Sequence, residues 1–129
     1  MNLNTAMRIS SSGLAAERYR MDTISQNIAN ANTIKTKDQD AYHRQDVVLA
    51  GSPDGVRIVG VVSDPNSYME KVEPNNPNAD ENGIVRYSDV DPLVEMVNMM
   101  SASRAYEANI QAFNSAKSMI RSALQIGKV

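Results

Sequence analysis

Between Asn78 and Asp89 the chain reads NADENGIVRYSD, which places Asn78, Asp80 and Asn82 at alternate positions, Gly83 sixth, Val85 eighth and Asp89 twelfth. Oxygen donors at that spacing around a sixth-place glycine are what a calcium loop requires. This stretch departs from the pattern by opening on Asn and closing on Asp, and Pro74 and Pro77 leave no entering helix. A tight turn running into a strand explains the same residues, and no metal is expected. His43 is the single histidine, so a histidine metal site or a Ser-His-Asp triad would rest on one residue in a polar loop. A surface or strand-edge histidine is expected instead. The acidic residues fall in turns and caps, where Asp serves the backbone. Gly13, Gly51, Gly55 and Gly60 make no phosphate-cradling spacing, and cysteine is absent. Neither an enzyme nor a cofactor is expected.

The residues with the strongest pattern lie at the two ends. Met7, Leu14, Met21 and Ile28 are seven apart, interleaved with Leu3, Ile24 and Ala31. That seam of period 3.5 predicts a helix over residues 3 to 31. Ser10 and Glu17 interrupt the seam, and Gly13 costs the helix about 1 kcal/mol relative to Ala. A second helix is predicted over residues 92 to 126. Asp91 can cap it, Pro92 suits its first turn, and Gly127 can end it in the left-handed conformation. Met99, Tyr106, Phe113 and Ile120 are again seven apart, interleaved with Met96, Ile110 and Leu124, while Ala105, Ala112, Ala116 and Ala123 form a smaller stripe. Two stripes imply more than one packing partner, although a simple two-helix hairpin with one core seam would show the same first stripe.

Charge is sparse on both helices. None occurs from Thr23 to Ile34, and from Met96 to Gly127 only Arg104, Glu107, Lys117 and Arg121 are charged. A solvated helix surface normally carries about a quarter to a third charged residues, so these helices are expected to be covered nearly all round. Gln26, Asn27, Asn30, Asn98, Asn109, Gln111 and Asn114 are amides that can bond across an interface without burying charge.

The expected fold is mainly α, with the long terminal helices paired as an antiparallel coiled coil around a small β-rich middle. Residues 1–33 and 89–129 form the helical parts and residues 34–88 the connector. Short strands are predicted at Arg44 to Ala50, Val56 to Ser63 and Ile84 to Tyr87, separated by Gly, Pro, Asn and Asp turns. Thr33 to Asp40 is polar and aperiodic, and is expected to be a mobile or partner-ordered connector.

With 129 residues there is room for one domain, and a net charge of −2 argues against nucleic acid or an anionic membrane as partner. The longest apolar stretch before residue 40 is Leu14-Ala15-Ala16. A cleavable secretory signal and direct membrane insertion are therefore not expected.

The run Ser12 to Thr33, SGLAAERYRMDTISQNIANANT, resembles the amino-terminal motif of bacterial flagellar axial proteins, the rod and hook subunits. HRQDVVL (His43 to Leu49), GVRIVGVVSDP (Gly55 to Pro65), PNADENGIVRY (Pro77 to Tyr87), EMVNMMSASRAYEANIQAFNSAK (Glu95 to Lys117) and LQIGK (Leu124 to Lys128) resemble the proximal-rod members of the flagellar basal-body rod family. The order is that of the family through nearly the whole chain. Departures are local: Ile34-Lys35 follows NANT in place of the usual Gly, His43 stands where a basic residue is usual, and the piece from Leu49 to Gly55 is short.

The resemblance implies a structural subunit of the rod, the drive shaft between membrane rotor and hook. It implies assembly through the terminal helices with copies of itself, with other rod subunits and with the adaptor joining rod to membrane ring. It also implies export by the flagellar type III apparatus without a cleaved signal, to a place outside the cytoplasmic membrane. The helix-packing residues would be Leu3, Met7, Leu14, Met21, Ile24, Asn27, Ile28, Asn30, Met96, Met99, Tyr106, Ile110, Phe113, Ile120 and Leu124. The competing reading is a soluble coiled-coil adaptor or export-chaperone-like oligomer, folded and of fixed size by itself.

Overall fold

The computed structural model describes residues 2–128. Two long helices, α1 (Leu3–Ala29) and α2 (Pro92–Ile126), flank four strands: β1 (Asp46–Ser52), β2 (Gly55–Val62), β3 (Met69–Val72) and β4 (Ile84–Tyr87). The strands form two two-stranded sheets, β1 with β2 and β3 with β4. The expected mainly α architecture with a β-rich middle is therefore present.

The helix ends follow from side chains. The Asn2 carboxamide oxygen accepts from Thr5 N at 2.7 Å, capping α1 in a way the sequence reading did not anticipate. At the other end of α1, Ala31 N reaches the Ile28 carbonyl at 3.2 Å. That tighter i→i+3 closure ends the helix two residues earlier than its apolar pattern suggests. Asp91 caps α2 by accepting from Leu93 N at 3.0 Å, with Pro92 as first helical residue. Gly127 is not left-handed as expected. Its N–H still donates to Ala123 O at 3.2 Å, and the glycines with positive φ among the described residues are Gly55 and Gly83.

The described residues divide into two compact units, and both helices contribute to each. The first comprises the described parts of Met1–Met21, Val47–Gly60 and Met100–Val129. Within it the β1–β2 turn sits on α1. Gly55 has φ +122°, and a Cβ there would lie 2.1 Å from the Ser12 hydroxyl, so glycine is required twice over. The Ser12 Oγ accepts from Val56 N at 3.0 Å and donates to the Ile9 carbonyl at 2.7 Å. The nearby Arg8–Asp54 ion pair is exposed on both sides and adds little.

The second unit comprises Asp22–Asp46 and Val61–Met99. Here β3 pairs antiparallel with β4 in the register Met69↔Tyr87 to Val72↔Ile84. The segment after α1 adds to the other edge of β4 through an Ile34↔Tyr87 bridge, with Lys35 N on Arg86 O and Ser88 N on Thr33 O. Thr33 to Lys35 is thus paired with β4, so this part of the stretch expected as a mobile or partner-ordered connector has partners within the chain. Val85 and Val90 fill this unit's core with 0% and 2% exposure. β3 escapes the sequence reading because Met-Glu-Lys-Val carries two residues that disfavour strands. The Asn78–Asp89 stretch is spent on backbone turns: Asp80 Oδ1 accepts from Asn82 N and Ile84 N, both at 2.9 Å, and Gly83 takes φ +76°.

His43, expected as a surface or strand-edge histidine, lies just before β1 and is largely covered. Its side chain is only 14% exposed and its ring meets Tyr68 edge-on at 5.0 Å. Nε2 lies 3.0 Å from Asp40 Oδ2 and Nδ1 3.1 Å from the Ser67 carbonyl. Both neighbours are acceptors, so both ring nitrogens donate only in the imidazolium. The hydrogen bond to Asp40 accordingly raises the His43 pKa above its ordinary 6.5, and the bonds from His43 and Tyr68 lower that of Asp40 to about 2. The His43 contribution to stability is complete below pH 6.5 and is lost as pH rises through the raised value. That of Asp40 is complete above 3.8 and is lost as pH falls toward 2. In an NMR titration His43 is expected to have its midpoint above 6.5, and Asp40→Asn to bring it down. An unshifted midpoint in the parent chain would show that the pair does not form in solution.

Candidate assembly site

The side chains that hold the helix termini in place converge on Asn27. Asn27 and Glu95 are both fully buried. The Asn27 Oδ1 accepts from the Tyr42 hydroxyl at 2.7 Å and from Gln45 N at 3.0 Å. Its Nδ2 donates to the Gln45 carbonyl at 2.9 Å and to Glu95 Oε2 at 3.1 Å. Two acceptor and two donor positions are all that a carboxamide offers, and all four are filled. The other Glu95 oxygen, Oε1, accepts from Arg44 Nε. Arg44 also presents its backbone N–H to Asp89 Oδ1.

This junction joins the last turns of α1, the first turn of α2 and the segment 42–45 between them. A carboxylate is removed from water, and its cost is offset by a guanidinium and an amide donor. The Glu95 carboxylate, with a smaller opposing effect of burial, raises the Arg44 pKa. Burial, followed by the charges of Glu95 and Asp89, raises that of Tyr42. The junction also explains where β1 starts. Gln45 N and O are committed to the Asn27 amide and Arg44 N to Asp89, so neither can join a ladder, and the strand begins at Asp46 instead of Arg44.

The first unit has its own close approach between the helices. A Cβ on Gly13 would lie 2.8 Å from the Asn109 amide atoms, while Asn109 Nδ2 is held by the Ala105 carbonyl at 2.9 Å. The glycine that weakens α1 as an isolated helix therefore makes room for an amide of α2. In the same unit Leu3 and Ile120 line a shared cavity with Asn2, Asn4 and Ala6.

The remaining packing residues read from the sequence divide by exposure. Ile24 is buried with Asn27. Leu3, Met7, Leu14, Met21, Ile28, Asn30, Met99, Tyr106, Ile110, Phe113 and Ile120 are half-buried. Met96 and Leu124 are 52% and 65% exposed. Leu93, Val97 and Met100, spaced by four and three, are also open to solvent near the start of α2, as are Met119 and Ile126 near its end. Ala102 and Ala116 are buried, whereas Ala112 and Ala123 of the small-residue stripe are exposed.

Sequence reasoning missed Tyr42, Arg44, Gln45 and Glu95 as parts of this site. A signal was present at Glu95, the single charge between Asp91 and Arg104 in an otherwise uncharged stretch. Arg44 and Gln45 gave none, because they lie in a run that reads as strand. Among the described residues no group of His, Cys, Asp and Glu could hold a metal ion, and no helix is long and apolar enough to cross a membrane.

The two helical ends that carry this geometry are also the parts that match known families. Residues 7–34 match a family described as "Flagella basal body rod protein", and residues 81–126 one described as "Flagellar basal body rod FlgEFG protein C-terminal". Over almost its whole length the chain is 38% identical to the flagellar basal-body rod protein FlgC of Borreliella burgdorferi, with 98% of each chain covered. It is 37% identical to FlgC of Salmonella typhimurium, covering 99% of this chain and all of the relative, and 33% identical to that of Bacillus subtilis, covering 95% and 97%. The chain belongs to the flagellar basal-body rod protein family, a family of structural rod proteins and not of enzymes.

Glu95→Gln is expected to lower unfolding free energy by about 2–4 kcal/mol, because it leaves Arg44 without its counter-charge in a partly buried place. Asn27→Asp, which sets a second carboxylate against Glu95 and removes two donors, should cost at least as much. Urea denaturation of each variant measures this, and parent-like midpoints would show the junction to be incidental.

Proposed function

We propose that this chain is a subunit of the proximal rod of the bacterial flagellum, assembling with itself and with other rod subunits through α1 and α2 into the shaft that carries torque from membrane rotor to hook. The observation that carries this reading is the near-full-length similarity to FlgC proteins, with identity running through both helical ends. The division of labour follows: residues 1–33 and 89–129 form the inner layer of a tube, and residues 34–88 lie outside it.

Antiparallel pairing of the helices as a coiled coil is part of the proposal. Gly13 meets Asn109 and Asn27 meets Glu95. Each contact lies within one unit, the first between residues 1–21 and 100–129 and the second between residues 22–46 and 61–99. Met96, Leu124 and the other open apolar residues of α2 would then face neighbouring subunits. A 35-residue helix is roughly 50 Å long, and many such pairs side by side make a stiff tube whose torque is borne by distributed packing.

The neighbours in this reading are copies of the chain, other rod subunits and the adaptor between rod and membrane ring. Delivery is by the flagellar type III export apparatus, without a cleaved signal, to the space outside the cytoplasmic membrane. Neither nucleic acid nor membrane insertion enters. Before assembly the open apolar faces of the helices lack partners, so the helices fray in the free chain outward from the Asn27–Glu95 junction, which suits passage through a narrow channel.

Hydrogen exchange read by mass spectrometry tests this. Residues 3–31 and 92–126, apart from the turns around Asn27 and Glu95, should exchange rapidly in the dilute chain and become protected with rod partners. Strong protection in the isolated chain at a fixed oligomeric size would favour the soluble adaptor. Ile28→Asp and Phe113→Asp each put a charge into a half-buried helix position. They are expected to leave a soluble chain that fails to enter rods, and normal rods in such variants would defeat the seam assignment.

A further inference from the structure

The two compact units differ sharply in charge. The first contains eight Lys and Arg against three Asp and Glu, a net of +5, whereas the second contains five against twelve, a net of −7. The whole-chain value of −2 conceals this. Internal pairing does not consume the imbalance. In the first unit Arg18, Arg57, Arg104, Lys117, Arg121 and Lys128 are exposed and make no ion pair among the described residues. In the second, Asp22, Asp38, Asp64, Asp80, Glu81 and Asp91 are exposed carboxylates likewise without an ion pair.

We propose that the partner of the basic first unit is the acidic second unit of another copy of this chain, so that subunits associate head to tail. Contacts of the first unit with itself, or of the second with itself, set like charges together and are disfavoured. The unlike contact attracts at encounter and weakens with salt. Two different surfaces meeting in this way form a heterologous interface, which propagates as an open helix wherever its rotation does not close a ring. Each unit also offers apolar area to such a contact: Val59, Met119 and Leu124 on the first, Val72, Leu93 and Val97 on the second, each at least half exposed. This deepens the rod reading and rests on it, since it names the polarity by which copies add.

Self-association of the full chain, measured by sedimentation velocity across ionic strength, tests the polarity. The association constant is expected to fall roughly tenfold or more between about 0.05 and 0.5 M salt. A first variant carries Arg18→Glu, Arg104→Glu, Lys117→Glu and Arg121→Glu, taking the first unit from +5 to −3. A second carries Asp22→Lys, Asp38→Lys, Asp64→Lys and Glu81→Lys, taking the second unit from −7 to +1. With circular dichroism confirming parent-like helix content, each variant alone should lose association by at least about tenfold, and an equimolar mixture of the two should regain it. Salt-independent association, or a mixture no more associated than its components, overturns the inference. Incorporation of the unaltered chain into isolated basal bodies is scored separately. Its presence there with no rescue in the mixture refutes the polarity alone, whereas its absence there refutes the rod reading.

Discussion

A buried carboxylate sets the terms for the second unit. Glu95 has no access to water, and a carboxylate so placed is costly unless a cation and further donors meet it. Arg44 supplies the cation and therefore has to turn inward. That brings the backbone of Gln45 onto the Asn27 amide and Tyr42 onto its oxygen. The segment that links α1 to β1 is thereby held across the ends of both helices, although little of it is apolar. One carboxylate thus decides the path of residues 42–46, the start of β1 and the rotation of the first turn of α2.

An apolar junction of the same volume would be at least as stable, because desolvating an ion pair consumes most of what the pair returns. What the polar junction adds is discrimination. A helix displaced by one residue in an apolar seam loses some contact area, whereas here it strands a charge and up to four hydrogen bonds. Gly13 acts in the same direction in the first unit, where it admits the Asn109 amide and a side chain would not fit without moving it. The helices are therefore specified at two discrete places as well as along their stripes.

Much of the architecture was legible from sequence because it rests on local causes. The bounds of α2 were read from Asp91 and Pro92 at one end and Gly127 at the other, and they fall there, although Gly127 follows the helix without the left-handed conformation. Ile24 and Asn27, singled out as apolar and amide positions on one uncharged face, are both buried. What was not legible is long-range. Arg44 and Gln45 lie in a run with strand propensity, and only the distant Asn27, Asp89 and Glu95 remove them from the ladder. His43 was read as a surface or strand-edge residue because its sequence neighbours are polar, and the contacts from Ser67 and Tyr68, 24 and more residues away, were not legible. Thr33 to Asp40 has no period, and the pairing of Thr33 to Lys35 comes from the free edge of β4.

Beside Val85 and Val90, the interior holds more polar side chains, and the surface more large apolar ones, than a self-sufficient monomer needs. The largest wholly buried side chains include Glu95, Asn27 and Ser88, while Leu93, Leu124 and Ile126 stand 71%, 65% and 77% exposed. Burial of apolar area is the main favourable contribution to folding, at about 25 cal/mol per Å², so this chain withholds part of that contribution from its own fold. The polar residues inside specify which arrangement forms, and the apolar residues outside keep energy in reserve for whatever covers them. A rod subunit requires that combination: a geometry accurate enough to enter a lattice, and a stability completed only by its neighbours. The same chain would be a poor free-standing adaptor, because its open helix faces would remain unsatisfied at the concentration where an adaptor works alone.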